Sequence, residues 1–285
     1  MKPANIISTV KSIELPNRVR LQYVERGDPA GVPVLFLHGI TDSWYSFEPV
    51  LPHLPASIRA FALSLRGHGD SERPASGYHP FDFAADIAAF MEALELKQAV
   101  ISGHSMGSYI AQRFALDYPE RILGLVLIAS FFSFRDKQCM TEFRDAVSGL
   151  TDPVDHDFAL EFQKSTLAKE VPQTFLDTVV EESRKVPARV WKAALEGLLE
   201  ADHSAELYKI KSPTLIVWGD QDAYCPRSDQ EALREAIADS HLLVYTGVGH
   251  AIHWEHPERF ASDVTAFTEG KRNYDKHIFD DGRIG

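Results

Sequence analysis

The chain is short of cysteine, of positive charge and of long apolar runs, and each shortage closes off a class of protein. Two cysteines in 285 residues, Cys139 and Cys225, provide neither a disulfide framework nor a metal or redox spacing. Half-buried free thiols in a reducing compartment are the simplest expectation, and with them a cytoplasmic location; a single disulfide between the two distant segments stays open at this stage. No stretch approaches the roughly twenty apolar residues that span a bilayer. Met1 to Thr9 carries one lysine and no apolar core, so no secretory signal is expected. Lysine and arginine number 29 against 41 acidic residues, a formal charge of −12. A surface of that sign repels nucleic-acid phosphates and anionic lipid, so no nucleic acid and no membrane is expected as a partner. The first strand–helix turn lacks G-x-G-x-x-G, which argues against a dinucleotide-binding protein. The remaining composition, 45% hydrophobic and 25% charged, is enough to bury one large domain, or one domain carrying an insertion.

Apolar patterning points to an α/β doubly wound sheet. Val10 to Glu14 and Val19 to Val24 alternate apolar with polar around Pro16-Asn17, as an antiparallel hairpin at a sheet edge does. Short runs apolar on both faces follow: Val34 to Leu37, Ala60 to Leu63, Ala99 to Ile101, Leu123 to Ile128, Leu215 to Trp218 and Leu242 to Tyr245. Buried parallel strands read this way. Amphipathic stretches lie between them, with Phe83, Ile87, Phe90, Met91 and Leu94 on one helical face, and Phe260, Val264 and Phe267 on another. Strand–helix alternation of this kind builds a mostly parallel sheet covered by helices.

The rhythm breaks from Phe131 to Leu207. No apolar strand run occurs there; Phe143-Val147, Phe158-Phe162, Phe175-Val179 and Trp191-Leu195-Leu198 keep helical spacing, and Pro153, Pro172 and Pro187 punctuate them. This is an all-helical insertion of about four short helices. The expected organisation is a core of residues 1–130 and 208–270, an insertion at 131–207 and a charged C-terminal extension at 271–285.

Chemistry concentrates at Gly103-His104-Ser105-Met106-Gly107. The pentapeptide follows an apolar run and opens a helical one. A serine on so sharp a strand-to-helix turn is an exposed nucleophile, and the glycines are required by the tightness of the turn. Serine needs a base to take its proton, and histidine in turn needs an acid to orient it. Asp222 follows the run ending at Trp218-Gly219, and His250 follows the run ending at Tyr245. All three therefore sit beyond the carboxyl ends of strands, where open α/β sheets build their sites. Asp220 is a rival for the acid, but its side chain would point the other way in an extended loop. His104, His253 and His68 are rivals for the base; His104 is expected to pack under the insertion and His68 to be structural. No His-x-x-x-His helix accompanies a carboxylate, so no metal site is expected.

The order Ser105, Asp222, His250, together with Leu37-His38-Gly39-Ile40, Leu65 to Ser71, Trp218 to Asp222 and Gly249-His250, resembles the α/β-hydrolase fold family over nearly the whole chain. The resemblance implies an α/β-hydrolase core with residues 131–207 as its cap, set between core strands six and seven. It implies a capped serine hydrolase of the esterase or lactonase type that needs no cofactor. The loop at Ile40 resembles the family's oxyanion loop, which makes the backbone N–H groups of Ile40 and Met106 the donors to a developing oxyanion. The glycine–three-residue spacing of the family favours Asp222 over Asp220. Serine rather than aspartate at position 105 argues against the family's dehalogenases and epoxide hydrolases. The expected substrate is a small, apolar carboxylic ester or lactone. Carbon–carbon hydrolysis of meta-cleavage-type products and a ligand-binding receptor role are the alternatives. Trp44, Phe131, Phe132, Trp191 and His253 are expected to line the substrate pocket, the competing reading being that most such aromatics are core. A homo-oligomeric state is left open.

Overall fold

The structure, a computed structural model, describes residues 9–134 and 137–270; the expected C-terminal extension at 271–285 lies outside the described residues. The N-terminal hairpin forms as the alternation predicts. Strand β1 (Val10–Glu14) pairs antiparallel with β2 (Arg20–Arg26), with Val10 opposite Val24. The six apolar runs become β3 (Val32–Leu37), β4 (Ile58–Ser64), β5 (Ala99–His104), β6 (Ile122–Ile128), β7 (Thr214–Gly219) and β8 (Ser240–Tyr245). They join the hairpin in one sheet of order β1-β2-β4-β3-β5-β6-β7-β8, antiparallel from β1 to β4 and parallel beyond.

Alternation along the strands divides the core between the two faces of the sheet. Leu35 and Leu37 of β3 point to the face covered by α1 (Pro80–Ala93) and α2 (Met106–Asp117), where they meet Phe83, Ile87, Phe90, Ile110 and Phe114. Val34 and Phe36 point to the opposite face. The predicted stripe on α1 is buried except for Leu94, which caps the helix end and is half-buried. Not every apolar run is buried on both sides. β8 closes the sheet, and Leu242 and Val244 are only partly covered, because an edge strand has one neighbour.

Between β6 and β7 the chain leaves the sheet for four helices, α3 (Gln138–Ser148), α4 (His156–Ser165), α5 (Gln173–Lys185) and α6 (Ala188–Glu200). After β7 come α7 (Arg227–Ala236), α8 (Ile252–Glu255) and α9 (Pro257–Thr268). Phe260, Ala261 and Val264 of α9 complete the second face. Ala159, Phe175, Leu176, Val179 and Val180 of α4 and α5 pack with Ala251 and Trp254, seating the helical insertion on the segment just after His250. Among the described residues no helix is long and apolar enough to cross a membrane.

The turn from β5 into α2 shows why the sequence needs its two glycines. A Cβ on Gly103 would lie 2.1 Å from the Gly107 carbonyl oxygen, and one on Gly107 would lie 2.2 Å from the Leu37 carbonyl oxygen. Both obstacles are backbone and cannot swing aside. Gly103→Ala and Gly107→Ala are each expected to lower stability by about 1–3 kcal/mol or more, as overpacking does. Thermal unfolding checks this, and an unchanged melting temperature would contradict the close approach.

Candidate active site

Strand register brings the distant loops together. Leu37 pairs with Gly103 across β3 and β5, so the loop carrying Ile40 leaves the sheet beside the turn carrying Ser105. This is where the strand order reverses, the usual place for a site in an open α/β sheet. Ser105 sits at φ 52°, ψ −114°, a strained conformation for a residue with a Cβ. Its N–H donates to the Ile128 carbonyl at 2.9 Å, which ties the turn to the end of β6.

On the other side, Gly219 at the end of β7 pairs with Tyr245 of β8. A Cβ on Gly219 would meet the Val248 carbonyl oxygen at 2.3 Å, so only glycine lets the two following loops close. There His250 Nδ1 lies 2.9 Å from both carboxylate oxygens of Asp222. The Asp222 side chain is fully buried, and its Oδ1 also accepts the N–H groups of Tyr224 and Cys225 at 2.8 and 3.0 Å. The carboxylate thus has three donors in place of water, and it holds Nδ1–H of the imidazole, leaving Nε2 for other work. Asp220 faces away from the histidine: its Oδ1 accepts the Gly247 N–H at 2.6 Å and braces the β7 loop against the β8 loop.

His250 and Ser105 line one narrow cavity of about 30 Å³ with Ile40, Met106, Phe131, Phe134, Met140, Phe143, Phe162, Thr166, Leu195, Leu198 and Tyr224. A water needs roughly 10–15 Å³ of such space, so the cavity takes small groups unless the helices over it shift. Among the described residues the N–H groups of Ile40 and Met106 have no hydrogen-bond partner. Met106 opens α2, where the unpaired amides and the helix dipole favour negative charge. Ser105, His250 and the two residues with unpartnered N–H groups therefore border one apolar space.

Of the pocket residues expected from sequence, Phe131 lines the cavity. The others lie elsewhere. Phe132 is held through its backbone N–H by Asp229 at 3.1 Å and is outside the lining. Trp191 is completely buried within the insertion, edge-on to Phe158 and Phe162, with its indole N–H on the Ser183 carbonyl. Trp44 is half-buried on the second face of the sheet, edge-on to Tyr45. His253 is buried under the site, stacked on Phe47 at 4.7 Å and bonded to Ser46 Oγ at 3.0 Å. Bulk drew attention to the tryptophans, but a large ring fills a core as readily as it lines a pocket. Leu195 and Leu198 share the helical stripe of Trp191, and spacing alone does not say which of the three faces the cavity. Tyr224 and Thr166 carried no signal in the sequence.

His38 and His104 have structural partners. His38 accepts the Leu65 N–H at Nε2 and reaches the Gly39 carbonyl with Nδ1, buttressing the loop. His104 donates from Nε2 to the His250 carbonyl at 3.1 Å, so it supports the His250 loop rather than only packing under the insertion. Burial holds His38 and His104 well below the usual histidine range, and pushes His68 to about 4 and His253 to about 3. Asp222, Cys225 and His250 lie within 4.8 Å of one another. Burial pushes the Cys225 thiol well up and its Sγ faces the Ala129 carbonyl at 3.0 Å. It is a neutral hydrogen-bonding thiol there, the wrong form for a metal ligand.

A further acid went unnoticed in the sequence. Asp42 follows Ile40 in the loop, is buried, and has its carboxyl pushed up to about 7, chiefly by loss of hydration, against the opposing pull of bonds from Gln163 and Ser46. An acid whose folded pKa is raised contributes stability that is complete below its unfolded value, about 4, and is lost as pH rises to about 7. Asp42→Asn keeps the shape without the charge. Its melting temperature is expected to gain on the native protein as pH goes from 5 to 8, by several degrees. A difference that does not change with pH would mean that Asp42 does not titrate in the fold.

The sequence profile described as alpha/beta hydrolase fold matches residues 32–257. A 2-hydroxymuconate semialdehyde hydrolase from Pseudomonas sp. is 31% identical over 84% of this chain and 87% of its own. A pimeloyl-(acyl-carrier protein) methyl ester esterase from Neisseria meningitidis is 31% identical over 88% of this chain and 99% of its own. Among solved structures, an esterase from Exiguobacterium antarcticum superposes with a TM-score of 0.81 at 25% identity, covering 91% of this chain and 99% of that one. The eight-stranded sheet, the serine turn at the end of β5 and a profile match that runs from β3 to the start of α9 agree, and the chain belongs to the α/β-hydrolase fold family.

Proposed function

We propose that the protein is a serine hydrolase of small, apolar carboxylic esters or lactones, with Ser105 as nucleophile, His250 as general base and acid, and Asp222 as the orienting acid. One observation carries the reading: Ser105 and His250 share an apolar cavity while Asp222 engages the far nitrogen of the imidazole. Ser105 Oγ attacks the carbonyl carbon as its proton passes to His250 Nε2, and the imidazolium so formed is stabilised by Asp222. The carbonyl oxygen becomes negative and accepts the N–H groups of Ile40 and Met106. The C–O bond breaks, and the alkoxide leaves with the proton from His250. Water then gives a proton to His250 and adds to the acyl carbon, the C–O bond to Ser105 breaks, Ser105 Oγ takes that proton back from His250, and the acid leaves. The reaction draws on nothing beyond the chain and water.

The four helices between β6 and β7 act as a cap in this reading. Met140, Phe143, Phe162, Leu195 and Leu198 come from them and make the cavity apolar, so an apolar acyl or alcohol group is favoured there. Carbon–carbon hydrolysis is the second reading, on the likeness to the 2-hydroxymuconate semialdehyde hydrolase. Two features weigh against it. The oxyanion loop reads Gly39-Ile40-Thr41-Asp42 rather than being rich in glycine and proline. No lysine or arginine is among the described residues lining the cavity, whereas a dienoate substrate brings a carboxylate that needs a cation or several donors.

Hydrolysis of p-nitrophenyl acetate and butyrate tests the proposal. Ser105→Ala is expected to lower kcat by about 10⁴-fold or more, with the fold intact by circular dichroism. Activity retained in Ser105→Ala would remove the nucleophile assignment. Faster loss of a vinylogous dienol substrate than of any ester would favour the second reading.

A further inference from the structure

The turn that presents the Ile40 N–H is built in an unusual way. Asp42 N–H donates to the Gly39 carbonyl at 3.3 Å, closing a four-residue turn with Ile40 and Thr41 at its centre. Thr41 has φ 70°. Positive φ at the third position is a feature of type II turns, where glycine or asparagine is usual; a β-branched residue is strained there. Threonine persists at a strained position only if its surroundings hold it. What threonine adds over glycine is a hydroxyl and a methyl, and the hydroxyl has a partner in the helical insertion.

That partner belongs to a line of four hydrogen-bonded side chains closed into a ring by the Thr41–Asp42 main chain. Thr41 Oγ1 lies 3.2 Å from Ser183 Oγ of α5. Gln163 of α4 donates from Nε2 to Ser183 Oγ at 2.6 Å and to Asp42 Oδ1 at 2.9 Å. All four residues are buried. The main chain of Ser183 is itself fixed, because Trp191 of α6 donates its indole N–H to the Ser183 carbonyl. Three helices of the insertion thus converge on the two residues that follow Ile40. Two carboxylate and hydroxyl acceptors are matched to the two protons of one amide, a satisfied network of the kind that holds a single geometry in a dry interior.

We propose that Gln163 and Ser183 are positioning residues for the oxyanion hole: the ring they form with Thr41 and Asp42 aims the Ile40 N–H, so that seating the helical insertion on the core and completing the hole are one event. This rests on the reading of Ile40 as an oxyanion donor and Ser105 as nucleophile. An oxyanion donor works only when aimed in advance at the place where charge develops. The Ile40 peptide is aimed by the turn, and the turn is held in its strained form by the ring.

Paired ester and thionoester substrates read the hole directly, because a developing thiolate is larger and a weaker acceptor than an oxyanion and gains less from the same donors. The native protein is expected to favour the ester strongly. In Ser183→Ala, Gln163→Leu and Thr41→Val, kcat on the ester is expected to fall about 10- to 100-fold, KM to change by less than about threefold, and the preference for ester over thionoester to shrink by a similar factor to kcat. Thr41→Ser, which restores the hydroxyl without the methyl, recovers most of the loss. Thr41→Val in the Ser183→Ala background costs little more than Ser183→Ala alone, since both remove one bond. If Gln163→Leu does not fold, the Thr41 pair still decides. Lower melting temperatures with the native ester preference unchanged would overturn the proposal and leave a merely structural ring. A native protein without ester preference, or an active Ser105→Ala, would instead sink the reading of the site, and the ring's role with it.

Discussion

The bond between His250 Nδ1 and the buried Asp222 carboxylate is the constraint on which the rest of the site depends. A carboxylate with no exposed side-chain surface is costly unless donors replace its hydration. Here His250 and two backbone N–H groups do so. Because the aspartate takes Nδ1, the tautomer is set and Nε2 is the nitrogen left toward the cavity. Several features of the fold serve that one contact. Gly219 permits the close approach of the two loops, Asp220 ties them together through Gly247, and His104 holds the His250 carbonyl from below.

Burial also sorts the histidines. The His104 ring lies 4.8 Å from that of His250 and 4.6 Å from that of His253. If either neighbour carried a proton at neutral pH, it would repel the charge that the proposed reaction places on His250. Loss of hydration keeps both neutral, His253 at about 3 and His104 well below the usual value. His250 differs from both in having the Asp222 carboxylate against its ring, at 2.9 Å from Nδ1. Physical surroundings, not residue type, separate His250 from its neighbours.

Much of this was legible in the chain. The parallel core could be read because buried strands are short and apolar throughout, and the insertion because its apolar residues change to helical spacing at Phe131. That Ser105, Asp222 and His250 come together at the strand ends could be expected because open α/β sheets gather their loops there. Recognition of pocket residues was poorer for a definite reason. Trp191 and Leu195 share a helical stripe, and only the docking of α6 decides that the indole turns inward to Ser183 while Leu195 reaches the cavity. Asp42, Gln163 and Ser183 were invisible for a related reason. They lie 121 and 20 residues apart in sequence, each is an ordinary polar residue on its own, and only the packing of the insertion on the loop after β3 makes them a network. β8 departed from the expected double burial because sheet order, unlike strand identity, is not written in local pattern.

The central claim is that Ser105 is made nucleophilic by His250. Labelling with a fluorophosphonate, followed by mass mapping of the modified peptide, tests it most directly. The account predicts one covalent adduct, on Ser105, formed rapidly in the native protein and at least a hundredfold more slowly in a folded His250→Ala variant, on the order of one general-base contribution. An adduct on another residue, or equal labelling rates with and without the imidazole, would contradict it.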